Sequence, residues 1–338
     1  MVDKGFKLEF PDEDIFDSEI ADPVFYTKEE VSYEPVHRDF KELSLPLSVY
    51  SGDENNEATI TVVMSDLHLG DSDFMPETFE STLVNLEATI TQVMNLCKVV
   101  NIKLVLNGDI VSGQGVFREQ FVRNIINRGH WQVEVAATVI REVKERLEKF
   151  VPDVDVFLIK GNHEKIENNF VIFLSNSLKN TYYVGKAKVI NIADPIGHYN
   201  VMFTHGTGSN AYFPVSYKTI RDFWKARNQY KFRDIEIEEF SIGHTHWLQP
   251  RMHLEGLKIS VTGGFQRWEY SIAQRPSGVL LYVYVNGETS VTGIRPDQAV
   301  EASETQDEAL EYKNMAYYSR KLSEAYGHLR EKPKALVL

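Results

Sequence analysis

From residue 58 onward, short apolar runs alternate with stretches whose apolar residues recur every three or four positions. "ATITVVMS" (58–65) reads as a buried strand, 77–100 as a helix and "KLVLNGD" (103–109) as a second strand. Trp131, Val135, Val139, Val143 and Leu147 recur every fourth residue, the period of an amphipathic helix. "VDVFLIKGN" (154–162) is the next strand. This β-α-β-α-β order predicts an α/β sheet with helical crossovers. After residue 180 the chain turns richer in strands: "KAKVINIA", "YNVMFTH", "EEFSIGHTH", "LKISVTGG" and "GVLLYVYVNGETSVTGI". In the last of these, Asn286-Gly287 between two β-type runs is a hairpin signal.

The ends of the chain differ from this body. Residues 1–57 show no sustained period, carry Pro11, Pro23 and Pro35, and close on the polar "SGDENNE"; they read as an acidic N-terminal extension. The alternating body runs over 58–299, and 300–338 is a C-terminal helical tail. Within that tail one helix is expected over 303–329. Ser303 and Gln306 fit a capping box, and Met315, Tyr318, Leu322, Ala325 or Tyr326, and Leu329 form an apolar stripe. Such a stripe docks on the protein's own body or serves a partner, including a second copy of the chain.

Charge changes the picture only at the N-terminus. The formal charge is −13, but residues 1–60 hold 16 acids and 5 bases, whereas the other 278 hold 33 and 31. The body is therefore near neutral, and the overall acidity does not exclude a nucleic-acid partner. No apolar run has membrane-spanning length, and "MVDKGFKLEFPDED" lacks the apolar stretch of a secretory signal, so no membrane association is expected. The single cysteine, Cys97, cannot form an intrachain disulfide, which sets the expectation of a reducing, cytoplasmic setting.

The strand ends carry the chemistry. The first strand delivers Asp66 and His68, two apart and so on one side of an extended chain. The second delivers Asp109, the third Asn162 and His163, a later one His205, and "FSIGHTH" delivers His244 and His246. In open α/β sheets ligands gather at the carboxyl ends of strands. Mixed carboxylate, imidazole and amide donors suit manganese, iron or zinc better than an all-oxygen calcium site or an all-thiolate zinc site. Gly108, Gly161 and Gly243 beside these donors allow tight backbone turns. The donors outnumber the needs of one ion, and two ions sharing a bridging aspartate would use them all.

The ordered series "DLH", "GDIV", "GNHE", "TH", "GHTH" resembles the calcineurin-like metallophosphoesterase superfamily over roughly residues 58–295. The resemblance implies a four-layer αββα sandwich of two mixed β-sheets with a binuclear centre. It assigns Asp66, His68, Asp109 and His246 to one ion and Asp109, Asn162, His205 and His244 to the other, with Asp109 bridging. His163 faces the scissile phosphate as its hydrogen-bond donor or as the acid for the leaving oxygen. The implied activity is hydrolysis of phosphodiester bonds by hydroxide held between two divalent ions, manganese foremost, with iron or zinc as alternatives. This chain has Glu164 where the family often has aspartate, and "IVSG" after Asp109 where an acidic residue is common. Glu164 either orients the His163 ring or faces solvent.

Two further stretches bear on the substrate. "SYKTIRDFWKARNQYKFR" (216–233) holds six Lys or Arg against one Asp, with Phe223, Trp224, Tyr230 and Phe232 interleaved. Basic side chains with aromatic faces suit a nucleic-acid strand, with Lys225 and Arg227 as contacts; the alternative is an amphipathic helix with a solvated basic face. The second stretch, 113–131, follows Asp109 and offers Arg118, Arg123, Arg128 and His130 to substrate or to an ordinary helix surface. In overall layout the chain resembles phosphoesterases of phages and mobile elements and, through them, nuclease subunits of double-strand-break repair complexes. Three functions follow from the resemblance: a DNA or RNA nuclease, a phosphodiesterase or phosphatase for small nucleotides or other soluble esters, and a non-catalytic accessory subunit.

Overall fold

The computed structural model describes residues 56–114, 120–165, 178–206, 215–231, 233–267 and 275–331. The acidic extension up to residue 55 and Arg118 lie outside them. The first half alternates as the pattern predicts: β1 (Glu57–Met64), α1 (Pro76–Met94), β2 (Lys98–Asn107), the single turn α2 (Gln120–Arg123), α3 (Gly129–Leu147), β3 (Val154–Ile159) and β4 (Thr181–Tyr183). These four strands pair in parallel. β10 (Val279–Val285) and β11 (Glu288–Ile294) join antiparallel beside β1, giving the order β11-β10-β1-β2-β3-β4. The Asn286-Gly287 hairpin turn forms with φ of 49° and 87°, the left-handed pair a two-residue turn requires.

The second sheet has the order β5-β6-β7-β9-β8, built from β5 (Ala187–Asn191), β6 (Asn200–Thr204), β7 (Glu239–Ile242), β8 (Gln249–Leu254) and β9 (Leu257–Val261). β6, β7 and β9 run parallel, and α4 (Tyr217–Lys231) makes the crossover from β6 to β7. Period-2 alternation splits the apolar residues into layers. Ile60, Val62 and Met64 face α1 and α3, while Val63 between them faces the second sheet with Val105, Phe203 and Tyr282. A third layer, including Phe223, Phe240 and Ile259, lies between the second sheet and α4. Helices, sheet, sheet and helix therefore make four layers.

Three boundaries differ from the sequence pattern. The helix expected over 77–100 ends at Met94, and Lys98–Val100 open β2. β4 and β8 were not anticipated; both are short edge strands, and β8 contains Pro250. The C-terminal helix is two, α5 (Gln298–Thr305) and α6 (Leu310–Glu331), with Asp297 rather than Ser303 as the N-cap of the first. Ser303 is interior to α5 because Asp297 already caps the helix, accepting the Ala299 amide at 2.8 Å, and the next residue, Glu304, is turned inward. Its carboxylate accepts the Glu77 and Thr78 amides at 3.1 and 2.7 Å. Those are orphan donors at the N-terminus of α1, which has no side-chain cap of its own.

One buried charge pins the inter-sheet layer at the edge where β7 begins. Glu239 accepts from Arg251 Nε at 2.8 Å, from Tyr199 and Tyr282 hydroxyls at 3.1 and 3.2 Å, and from Ser260 Oγ. Replacing one partner of such a group strands the rest. Glu239→Ala is expected to lower the unfolding free energy by about 3–5 kcal/mol, read by urea denaturation. A loss below about 1 kcal/mol, the scale of an exposed pair, would contradict this reading.

Candidate metal centre

The parallel ladder of β1 and β2 continues past both strands: the Asp66, His68 and Leu69 amides donate to the carbonyls of Gly108, Asp109 and Ile110. This brings "DLH" and "GDI" side by side. Asp66, His68, Asp109, His244 and His246 have φ between 46° and 68°, five of the nine non-glycine residues with positive φ among those described. Left-handed backbone costs L-residues in general roughly 1–2 kcal/mol each, less for aspartate, and such strain collects at functional sites. The glycines serve by size more than by turning. Gly108 alone of the three has the left-handed φ, 86°. Gly161 is required because a Cβ would collide with Oδ1 and N of Asp109, and Gly243 because one would collide with Ser65 Oγ.

Each aspartate divides its labour. Asp66 Oδ2 accepts from Ser65 Oγ and from the His244 amide (2.9 Å), and Asp109 Oδ1 accepts from the His163 amide (2.9 Å). The other oxygens face imidazoles. Asp66 Oδ1 lies 3.3 Å from His246 Nε2, 3.8 Å from His68 Nε2 and 3.9 Å from His205 Nε2. Asp109 Oδ2 lies 2.9 Å from His205 Nε2 and 3.8 Å from Nε2 of both His68 and His163. Asn162 Oδ1 is 3.2 Å from His205 Nε2. The structure thus brings together all seven expected ligands and His163.

Among the described residues, three groups have donors spaced to hold a metal ion: Asp66, His68 and His246; His68, Asp109 and His163; and Asp109, His205 and His244. The chain's own atoms fit that use. Among the described residues, Asp66 Oδ1 and both ring nitrogens of His68 are buried without a hydrogen-bond partner, an expensive arrangement unless another group completes it. His205 Nδ1 donates to the Asn107 carbonyl at 2.7 Å, which fixes the ring with Nε2 toward the aspartates.

Electrostatics in the metal-free site are those of two buried carboxylates in need of positive charge. Burial alone would raise Asp66, but the charges of His246 and His205 hold it well below the usual carboxylate range. Burial would lower His205, yet Asp109 and Asp66 push it up to about 10. Burial pushes His246 down to about 3. Burial and the charge of His68 push His163 down to about 4.

Glu164 is a residue whose role the sequence reading missed. It is neither solvent-facing nor the orienter of His163. It is buried and accepts the amides of Asp109, Ile110 and Gly161 at 3.1, 2.7 and 2.8 Å, tying the second and third strand ends together. Burial and the Asp109 charge push it up to about 7. His163 is oriented instead by the Ser112 carbonyl, which accepts from its Nδ1 at 2.5 Å. That carbonyl stands in "IVSG", where an acidic residue is common. The only sequence signal for Glu164 was its place beside two site residues.

Of the expected substrate contacts, Arg118 lies outside the described residues, and Lys225 and Arg227 are both on α4. Arg227 donates to the Gly256 carbonyl at 3.4 Å, in the turn before β9. Because β9 is parallel to β7, that turn lies at the sheet edge opposite His205 and His244. Lys225 is exposed beside Asp222, at 3.8 Å. Phe223 stacks on Phe240 within the core, so part of the aromatic pattern serves packing. Arg123 pairs with Asp73, and Arg128 lies over the Trp131 ring.

The chain belongs to the calcineurin-like phosphoesterases: the family model matches residues 60–277. No curated protein matches it. Similar solved structures include Vps29 from Entamoeba histolytica complexed with zinc, at 13% identity over 70% of this chain and 98% of that one, TM-score 0.36. An archaeal phosphodiesterase matches at 11% identity over 69% and 99%, TM-score 0.34. A predicted phosphoesterase from Streptococcus pneumoniae matches at 13% over 70% and 98%, TM-score 0.28. The family uses divalent metals, and the Asp/His groups described above could bind them. Together they support a metal-dependent phosphoester hydrolase.

The division between neighbours 163 and 164 is testable. Glu164→Ala leaves three buried amides without their acceptor, at roughly 1–3 kcal/mol each. It is expected to destabilise the metal-free protein by at least about 3 kcal/mol on that scale, whereas His163→Ala should cost under about 1. Equal losses in urea denaturation would contradict the assignment.

Proposed function

We propose that the protein hydrolyses phosphodiesters at a binuclear centre, with manganese the first ion to test. The supporting observation is the position of Asp109 Oδ2, which faces His68, His163 and His205 at once and belongs to two of the three donor groups. On this reading Asp66, His68, Asp109 and His246 would hold one ion and Asp109, Asn162, His205 and His244 the other, with Asp109 common to both sets. When bound, such a pair supplies Lewis-acid charge for the phosphoryl group and makes water nucleophilic near neutral pH.

The remaining chemistry belongs to the chain. His163 donates through Nδ1 to Ser112, which leaves Nε2 directed at the centre. A proton on Nε2 is disfavoured in the free site, where burial and His68 oppose it; the negative charge of a bound phosphate restores it. His163 then hydrogen-bonds the phosphate or protonates the leaving oxygen. Asp66, fixed by Ser65 and the His244 amide, keeps its second oxygen turned to the centre throughout. The complete donor set supports an enzyme over a non-catalytic subunit, since a binding module has no need of seven convergent ligands.

A nucleic-acid substrate is the finer reading, favoured by the outer face of α4. Lys218, Arg221, Trp224 and Lys225 are exposed on it, in a chain of net charge −13. As β6 and β7 are parallel, α4 runs back from the site edge, so its first turns lie nearest the centre and Arg227 lies beyond reach. Phosphate contacts from such a face raise affinity without reading sequence.

Manganese-loaded protein should cleave a chromogenic phosphodiester and lose that activity on chelation or in Asp109→Asn. His163→Ala should retain metal and lose about 10²–10⁴-fold in turnover on an unactivated ester, the range of a lost general acid, with a smaller loss on a nitrophenyl ester. Activity that persists after chelation would overturn the reading. For the finer reading, Lys218→Glu with Arg221→Glu should raise KM for an oligonucleotide about tenfold while leaving the chromogenic ester unchanged. Equal effects on both, or none on the oligonucleotide, would remove nucleic acid as the substrate.

A further inference from the structure

α6 lies outside the stretch that matches the family, yet it reaches the loop that carries two of the proposed ligands. Its buried face is the expected apolar stripe only in part. Tyr318 and Ala325 are buried and Leu322 packs on the core, but Met315 and Tyr326 are about half exposed, and Asn314, Tyr317 and Lys321 are buried beside them at helical spacing. Four of the buried residues, Asn314, Tyr317, Tyr318 and Lys321, carry polar groups, and three of the four, all but Tyr317, have a hydrogen-bonding or ionic target among the described residues. Lys321 pairs with Glu142 on α3. Asn314 Nδ2 donates to the carbonyls of Ser72 and Phe74 at 2.6 and 2.8 Å, and the Tyr318 hydroxyl donates to the carbonyl of Asp71 at 2.9 Å.

Residues 71–74 are the return of the loop that begins at Asp66. The Asp71 amide donates to the His68 carbonyl at 3.1 Å, so the clamp from α6 lies one hydrogen bond from a proposed ligand. The same loop is held from its other side by the ladder to residues 108–112. Asp66 and His68 both sit in left-handed backbone, a conformation that persists only where the surroundings over-determine it. The carbonyls of 71, 72 and 74 accept fully buried donors from α6, Asn314 being 0% and Tyr318 1% exposed. A helix that served only to cover apolar surface would not need three hydrogen bonds to one loop.

We infer that α6 is part of the frame of the site, with Asn314 and Tyr318 acting as positioning residues that hold the Asp66–Phe74 loop in its ligand-presenting form. The inference rests on the metal-centre reading above for its functional consequence. The 58–299 segment is then not the whole catalytic unit, and the C-terminal segment is not a tail.

Three single variants of the full chain test this. Tyr318→Phe removes one hydroxyl and keeps the ring; Asn314→Asp keeps the volume but removes both donors; Lys321→Met breaks the α6–α3 ion pair without touching the loop. Hydrogen exchange of the metal-free proteins, followed on the peptide spanning residues 66–75, should be about tenfold faster in Tyr318→Phe and Asn314→Asp, through local opening of that loop. Manganese affinity by calorimetry, taken well below the melting temperature, should fall about tenfold in both, the lower end of the range for outer-shell partners of metal ligands. Lys321→Met should lower thermal stability and leave both readouts at wild-type values. If Asn314→Asp does not fold, Tyr318→Phe alone decides. Unchanged loop exchange in folded Tyr318→Phe overturns the inference, as does an equal effect of Lys321→Met. Should wild-type protein bind no manganese, the metal-centre reading fails, while the exchange measurement still judges the clamp.

Discussion

Two carboxylates without compensating positive charge of their own govern this molecule. Asp66 and Asp109 are 0% and 1% exposed, and the ion-pair contacts they make among the described residues are to imidazoles. His205 Nε2 lies within 3.9 Å of both, and the buried Arg275 guanidinium also acts on Asp66. A buried charge left unpaired is far too costly to persist in a stable fold. In the metal-free protein the deficit appears as a proton retained on His205. A divalent cation answers the same demand with more charge and with ligands already aimed.

The surrounding structure is arranged to keep those carboxylates where they are. Parallel pairing sets the β1 and β2 exits side by side, and Glu164 joins the β3 exit to them through backbone amides. Gly161 and Gly243 let neighbouring strand ends close to distances that any side chain would forbid. Five left-handed ligand-bearing residues add several kilocalories of local strain, which the packed apolar layers on either side offset. Support therefore comes from hydrogen bonds to backbone amides and carbonyls more than from side-chain pairs.

Much of this was legible in the sequence, for identifiable reasons. Strands buried on both faces, such as "ATITVVM" and "VLLYVYV", announce themselves as continuous apolar runs, and the donors follow directly at their ends. The proposed ligands could be named because the chemistry of a metal site limits both residue type and place. What escaped detection depends on tertiary partners. Glu164 looks like a turn carboxylate until the amides of Asp109 and Ile110 close over it. The buried face of α6 was legible at Tyr318, Leu322 and Ala325 but not at Asn314 and Lys321, which count as polar in any periodicity; only their partners on the 66–74 loop and α3 explain their burial. Arg227 belongs to a basic, aromatic stretch whose composition suggested substrate, but the parallel run of β9 carries it to the far edge. β8 was lost because an exposed edge strand containing Pro250 has no apolar signature.

The central claim is that Asp109 is shared between two ions. The most direct measurement is anomalous diffraction from crystals of the protein grown with manganese. Two peaks should appear about 3.5–4 Å apart, the usual spacing of paired catalytic ions. Asp109 should lie within bonding distance of both, with Asp66, His68 and His246 around one and Asn162, His205 and His244 around the other. A single peak, or two peaks of which only one touches Asp109, would contradict it.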